Sequence, residues 1–320
     1  MGTPEFAVET LQMLVEEGYN VVAVVTQPDK PVGRHGSVLQ PSQVKQYAVA
    51  HGLPVLQPEK MKDPTFIEQL RSYNANLQVV VAFRMLPEVV WAMPELGTFN
   101  VHAALLPQYR GAAPINWAVI NGETETGVTT FFLDHDIDTG RIIMKKHFPI
   151  PDDANVEYVY DGLMHLGAEI CRETIEAIIA ADGHPATVAQ DSVTDGTALR
   201  PAPKIFKETC EIDWTLPAKQ VYDFVRGLSP YPGAWTTLED ATGKKTVLKI
   251  FKTGKTGCKT AAPREITVDG KHLYIAAADE KLEILELQAE GKKRMTAADY
   301  LNGMREKIGT QNIFQTKYNK

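Results

Sequence analysis

Cysteine is scarce in this chain of 320 residues: Cys171, Cys210 and Cys258 are the whole complement. They lie far apart and are odd in number, which fits neither a zinc spacing nor a disulfide framework and points to a reducing cytoplasm. No apolar run approaches membrane-spanning length, and no repeat or low-complexity tract is present. The start, Met1 to Phe6, has neither the basic segment nor the apolar core of a secretory signal. Phe6 also stands where a myristoylation motif needs Ser or Thr. A Gly-x-Gly-x-x-Gly fingerprint is missing, so a dinucleotide site would lack its phosphate loop. Positive charge is in deficit: the net charge is −7, which argues weakly against a nucleic-acid partner. The deficit is uneven. From Phe206 onward there are 19 basic against 15 acidic side chains, leaving 14 against 25 before it. The later part is therefore mildly basic, as ordinary scatter or as a surface for a phosphate backbone.

What is present is an ordinary globular composition, 44% apolar and 23% charged, long enough for two domains. The first half alternates periods. Val8, Leu11 and Leu14 recur at helical spacing up to Gly18. Tyr19 to Thr26 is a nearly continuous apolar, β-branched run, as a strand buried on both faces requires. Residues 27–41 form a Pro/Gly loop, Ser42 caps a helix, and Asp63-Pro64 opens another. Further strands are expected at 77–82, 98–102, 128–133 and 142–150, then a long helix from Asn155 to Ala181. This order predicts an α/β fold with a doubly wound, mostly parallel sheet. Residues 184–210 are polar with Pro201 and Pro203 and read as a linker. A helix at 219–228 and five short strand signals then suggest a small closed β-barrel. Gly2-Thr3-Pro4-Glu5 reads as the turn after a first strand, so the expectation is of a strand lost before Met1 or never built.

The chemistry concentrates in two segments. Asn100-Val101-His102 sits on an apolar run, and Asp134-His135-Asp136-Ile137-Asp138-Thr139-Gly140 follows about thirty residues later. Asn100 and His102 are two apart and share one face of an extended strand. An amide can donate to a carbonyl oxygen, an imidazole can move a proton, and a carboxylate can orient and charge the imidazole: a set suited to acyl transfer. A single histidine at a strand end is usually a hydrogen-bonded structural residue, and Asp138 read alone simply caps its turn. Context decides. Leu105-Leu106-Pro107 ends the strand, a loop of small residues follows, and a helix restarts at Pro114. Strand, loop and helix start is where open α/β sheets hold ligands. Tyr109 and Arg110 read as loop supports, although Arg110 could also reach a carboxylate or phosphate. Asp134, His135 and Asp136 read as loop charges, because no further ligand cluster supports a metal.

The stretches MGTPEFAV, QPDKPVGR, VVVAFRMLP, NVHAALLPQYRGAAPINWAVINGE, DIDTG and AEGKKRMTAADYLNG resemble the methionyl-tRNA formyltransferase family over essentially the whole chain. The Asn-x-His pair with a later Asp-Thr-Gly marks folate-dependent formyltransferases in general; QPDKPVGR and GKKRMTAADYLNG are more specific to the tRNA enzymes. The resemblance implies transfer of a formyl group from 10-formyltetrahydrofolate to the α-amine of methionyl initiator tRNA in the cytoplasm. It implies no metal, no membrane and no obligatory protein partner. It assigns catalysis to Asn100, His102 and Asp138. The formamide carbonyl is unreactive, so such a site must stabilise an oxyanion. Folate binding falls on Ala104, Leu105, Leu106 and Pro107, and on the end of the 79–87 segment at Val81, Phe83 and Met85. That segment could equally be only a core strand. The tRNA contacts fall on Lys30 and Arg34 in the 29–41 loop and on Lys292, Lys293 and Arg294. The last three could equally be a solvated turn. The family usually has Ser at the place of Ala104, a base at Gln108 and more lysines after Arg34. The implied organisation is a Rossmann-like formyltransferase domain at 1–188, a linker at 189–205 and an OB-like, tRNA-binding β-barrel at 206–320.

Three other readings compete. The same chemistry could serve a small amine such as a glycinamide ribonucleotide or an amino sugar, or water. The chain could be a non-catalytic RNA-binding protein on an old enzyme fold, against which the full Asn100, His102 and Asp138 set argues. A nicotinamide dehydrogenase fits the sheet but not the missing glycine fingerprint.

Overall fold

The computed structural model describes residues 1–32, 38–194, 196–239, 243–260 and 262–308. Arg34 lies outside the described residues. The chain divides into two compact units. One comprises Met1–Pro114, Glu125–Pro149 and Tyr160–Pro203; the other comprises Ile115–Thr124, Ile150–Val159 and Lys204–Lys320.

In chain order the elements through the first half are α1 (Phe6–Glu16), β1 (Val24–Val25), β2 (Lys30–Val32), β3 (Val38–Gln40), α2 (Gln43–Ala50), β4 (Val55–Leu56), α3 (Pro64–Ser72), β5 (Gln78–Val81) and α4 (Glu88–Trp91). They continue with β6 (Thr98–His102), α5 (Pro114–Ile120), β7 (Glu125–Phe132), β8 (Ile142–Pro149) and α6 (Val156–Ala180). Local chemistry explains their starts. Ser42 accepts from the Lys45 amide at 3.1 Å, Asp63 from Thr65 at 2.8 Å, and Asn155 from Tyr158 at 3.1 Å. Each satisfies a donor that the first helical turn leaves open.

β5 and β6 pair in parallel, as do β1 and β4. β7 and β8 instead run antiparallel to their neighbours, so the sheet is mixed rather than mostly parallel. For the β7–β8 pair the physical reason is that the two strands are joined by a loop with no crossover helix, and a parallel pair needs one. Among the described residues, only Val24–Val25 of the apolar run at 19–26 enters a ladder. Its neighbours Tyr19 to Ala23 line a cavity of about 550 Å³ with Leu77 to Val79 and Met1. The Met1 ammonium donates to the Val79 carbonyl at 2.7 Å, and burial lowers its pKa to about 6. β2 and β3 pair antiparallel within what composition reads as a loop.

The second unit adds α7 (Ala218–Gly227), β9 (Ala234–Glu239), β10 (Lys245–Lys259), β11 (Ile266–Asp269), β12 (His272–Ala276), β13 (Glu280–Ala289), β14 (Met295–Thr296) and α8 (Ala297–Ile308). The strands pair in the order β11-β12-β13-β10-β9, with β14 also on β13. In place of the expected closed barrel, this path is open: among the described residues β9 and β11 are not paired to each other. Trp214, Val221, Leu248, Ile250, Ile275, Leu287 and Leu301 form its core. Buried Asp223 is held by Lys219 and Arg226, as a buried carboxylate must be. Among the described residues, no helix is long and apolar enough to cross a membrane, and no group of three or more His, Cys, Asp or Glu is placed to hold a metal ion. Burial pushes the Cys171 thiol up to about 12.

Candidate active site

β6 carries the centre. It lies between β5 and β7, with Asn100 opposite Val80 and Phe131, and His102 opposite Thr129. Val101 points to the other face, where it approaches Gly167 on α6. Asn100 and His102 therefore share the opposite face. The His102 Nε2 lies 2.9 Å from the Tyr109 carbonyl oxygen. A carbonyl only accepts, so Nε2 carries hydrogen and Nδ1 is the atom left for other chemistry. Nδ1 faces the Asp138 carboxylate at 3.9 Å, with both side chains largely buried. That is an ion-pair separation, too long for a hydrogen bond. The same carboxylate oxygen accepts from the Gly111 amide at 3.0 Å. The structure thus brings His102 and Asp138 together, with Asn100 on the same strand face as His102. Oδ1 of Asn100 is buried and, among the described residues, has no hydrogen-bond partner.

The loop after β6 is built by backbone capture. The Thr129 hydroxyl donates to the Ala104 carbonyl at 2.7 Å and accepts from the Leu106 amide at 3.1 Å. Ala104, Leu106 and Pro107 are buried, and Leu105 is partly exposed. Tyr109 and Asp138 both adopt left-handed backbone angles, φ +59° and +56°, as does Ala82 at +48° just after β5. Non-glycine residues rarely do so, and such strain gathers at functional sites. Gly111, at φ +128°, is required: a Cβ there would overlap the Ala202 carbonyl oxygen. At the end of β5 Val81 is buried, and beyond it Phe83 is half-buried and Met85 exposed. Arg84 ties this segment down by donating to the Glu59 carbonyl at 2.9 Å and to the Pro58 carbonyl.

Residues 189–205 supply partners that no motif announces. Tyr109 N donates to Arg200 O at 2.7 Å, and Ala202 N donates to Arg110 O at 2.8 Å. Gln190 bonds Arg110 and the turn at 138–140. The cavity beside Met1 is lined by none of Asn100, His102 and Asp138, although Val81 borders it.

The basic residues divide. Lys30 is exposed on β2. Asp29 beside it is held below the usual carboxylate range by the Lys45 ammonium, with help from Gln57. Lys292 and Lys293 are exposed in the turn before β14. Arg294 is engaged by Glu286 and lies over the Phe251 ring at 4.6 Å. His135 faces Glu88 at 3.8 Å in an exposed pair.

Comparison with known proteins identifies the family. The family described as "Formyl transferase" matches residues 1–175, and "Formyl transferase, C-terminal domain" matches 204–305. The methionyl-tRNA formyltransferase of Parabacteroides distasonis is 60% identical over 96% of this chain and 95% of its own length. That of Phocaeicola vulgatus is 61% identical over 95% and 94%. Among solved structures, the N-formyltransferase of Helicobacter canadensis with folinic acid and dTDP-3-aminofucose has TM-score 0.62 at 18% identity, covering 92% of this chain and 97% of that one. HypX of Aquifex aeolicus with tetrahydrofolic acid has TM-score 0.56 at 19% identity, covering 81% and 44%. At such identities the structures speak for the fold, while the sequence relatives speak for the lineage: the chain belongs to the methionyl-tRNA formyltransferase family.

Proposed function

We propose that this chain transfers a formyl group from 10-formyltetrahydrofolate to the α-amine of methionine on initiator tRNA, in the cytoplasm. The observation that carries the reading is Asn100 and His102 on one face of β6, with the Asp138 carboxylate 3.9 Å from the imidazole. The folate supplies the N-linked formyl carbon. Ala104 to Pro107 and the chain at Val81, Phe83 and Met85 form its bed. The orphaned Asn100 Oδ1 fits a ligand that brings an N–H, which both a pterin and an attacking amine do.

Each side chain then has one task. The Asn100 amide donates to the formyl oxygen where negative charge develops, which is worth about 3 kcal/mol in comparable sites. His102 takes the proton shed by the attacking amine at Nδ1, because Nε2–H is committed to Tyr109, and returns it to N10 of the folate as the C–N10 bond breaks and tetrahydrofolate leaves. Asp138 balances the charge that results. We read residues 1–188 as the catalytic domain, 189–205 as the connection, and 206–320 as an OB-like module that holds the tRNA backbone. Lys292, Lys293 and Arg294 are its candidate phosphate contacts, with Lys30 and Arg34 of the 29–41 loop as further ones, and the exposed Lys245, Lys249 and Lys252 on β10 support a basic surface on the module.

The test is transfer from 10-formyltetrahydrofolate to Met-tRNA by the purified chain. N-formylmethionyl-tRNA should accumulate, and His102→Ala and Asp138→Ala should each cut turnover at least about a hundredfold with the fold intact by circular dichroism. Near-normal turnover in either variant removes that residue from the mechanism.

A further inference from the structure

We propose that Gln190 is the positioning residue that sets the Asp138 carboxylate against His102. The inference rests on the formyl-transfer reading above. Gln190 lies beyond the 1–175 stretch matched by the N-terminal family profile, in a short 3₁₀ turn (Gln190–Val193) of otherwise exposed residues. It is only 2% exposed.

A carboxamide has two N–H donors and two lone pairs. Here all four are used. Nε2 donates to the carbonyl oxygens of Asp138 and Gly140, each at 2.8 Å. Oε1 accepts from Arg110 Nε at 3.0 Å and from Arg110 Nη2 at 2.6 Å. The two carbonyls flank Thr139 in the turn that carries the carboxylate. Arg110 immediately precedes Gly111, whose amide grips that same carboxylate. One buried side chain therefore binds both segments that fix Asp138. Asp138 also holds a left-handed backbone, a conformation that persists only where surroundings over-determine it. The Gln190 donors sit on the carbonyls at and beyond that strained residue. The bonds of Gln190 go to Arg110 and to the 138–140 turn, so its effect on proton transfer travels through the turn.

Gln190→Glu separates the two halves of the clamp. It keeps the size and the acceptor toward Arg110 but turns a carboxylate oxygen toward the two carbonyls, which then have no donor. Gln190→Met, of similar size, removes all four bonds and serves where the Glu variant does not fold. Turnover and KM are measured for wild type, these variants, Asp138→Ala and the double variant with Asp138→Ala. A charged or apolar side chain at 190 should lower kcat about tenfold or more while KM for Met-tRNA and for the folate stays within about twofold. In the Asp138→Ala background the same change should cost nothing further. Multiplying losses in the double variant, or an unchanged kcat in the single one, overturns the proposal. An independent readout needs no turnover. The pH profile of the His102 ring resonance should move toward that of Asp138→Ala in Gln190→Met, and an unmoved profile overturns the proposal. Failure of wild type to formylate Met-tRNA would instead defeat the activity reading, with the resonance profile still deciding the role of Gln190.

Discussion

Asn100 keeps a buried carboxamide oxygen that no donor among the described residues reaches, which costs about 1–3 kcal/mol. A residue that breaks a local rule at a strand-face site is retained for what it binds. Asn100→Ala should therefore melt no lower than wild type while its turnover falls about a hundredfold. Paired thermal melts and formylation rates check this. A variant that melts lower and turns over normally would make Asn100 a structural residue. At this scale the sequence was legible where chemistry is written in side chains at fixed spacing. Asn100, His102 and Asp138 stand out by type, and strand periodicity put the first two on one face. The partner of His102 Nε2 was not legible, because it is the backbone carbonyl of Tyr109. Gln190 was not either: a lone glutamine in a polar stretch has no period and no motif.

The helices with side-chain caps and the buried strands β5 and β6 follow from propensity and pattern, and were readable within a residue or two. Elements set by partners were not. Tyr19 to Thr26 has the composition of a buried strand, yet among the described residues only Val24 and Val25 find a ladder partner. β2 and β3 form within a Pro-rich loop, and α8 follows a two-residue strand that gives no warning of it. The polar character of 189–205 suggests a linker, but several of its polar groups are committed to the site loop. The turn at 138–140 shows how closely such elements fit. A Cβ on Gly140 would overlap the Phe132 carbonyl oxygen and meet the Phe131 ring. Gly140→Ala should therefore destabilise by about 1–3 kcal/mol, as overpacking does, and displace Asp138. Chemical denaturation and turnover measured together test it. A variant with unchanged denaturation midpoint and unchanged rate would show that the turn tolerates the shift.

Across the whole chain the charge is divided, acidic before Phe206 and mildly basic after it. A phosphate backbone bound by exposed lysines releases counterions, so affinity for tRNA should fall with salt at a log–log slope of about −2.7 or steeper, the equivalent of three or more phosphate contacts on a duplex. An affinity flat in salt would remove the basic face from docking. The central claim concerns the acceptor, since related chemistry can formylate small amines. The most direct test offers the purified chain 10-formyltetrahydrofolate with Met-tRNA, free methionine or glycinamide ribonucleotide, and compares kcat/KM. The account predicts transfer to Met-tRNA, with free methionine and glycinamide ribonucleotide at least about a hundredfold poorer because they lack the backbone that the basic module holds. Transfer to glycinamide ribonucleotide at or above the rate to Met-tRNA would contradict it.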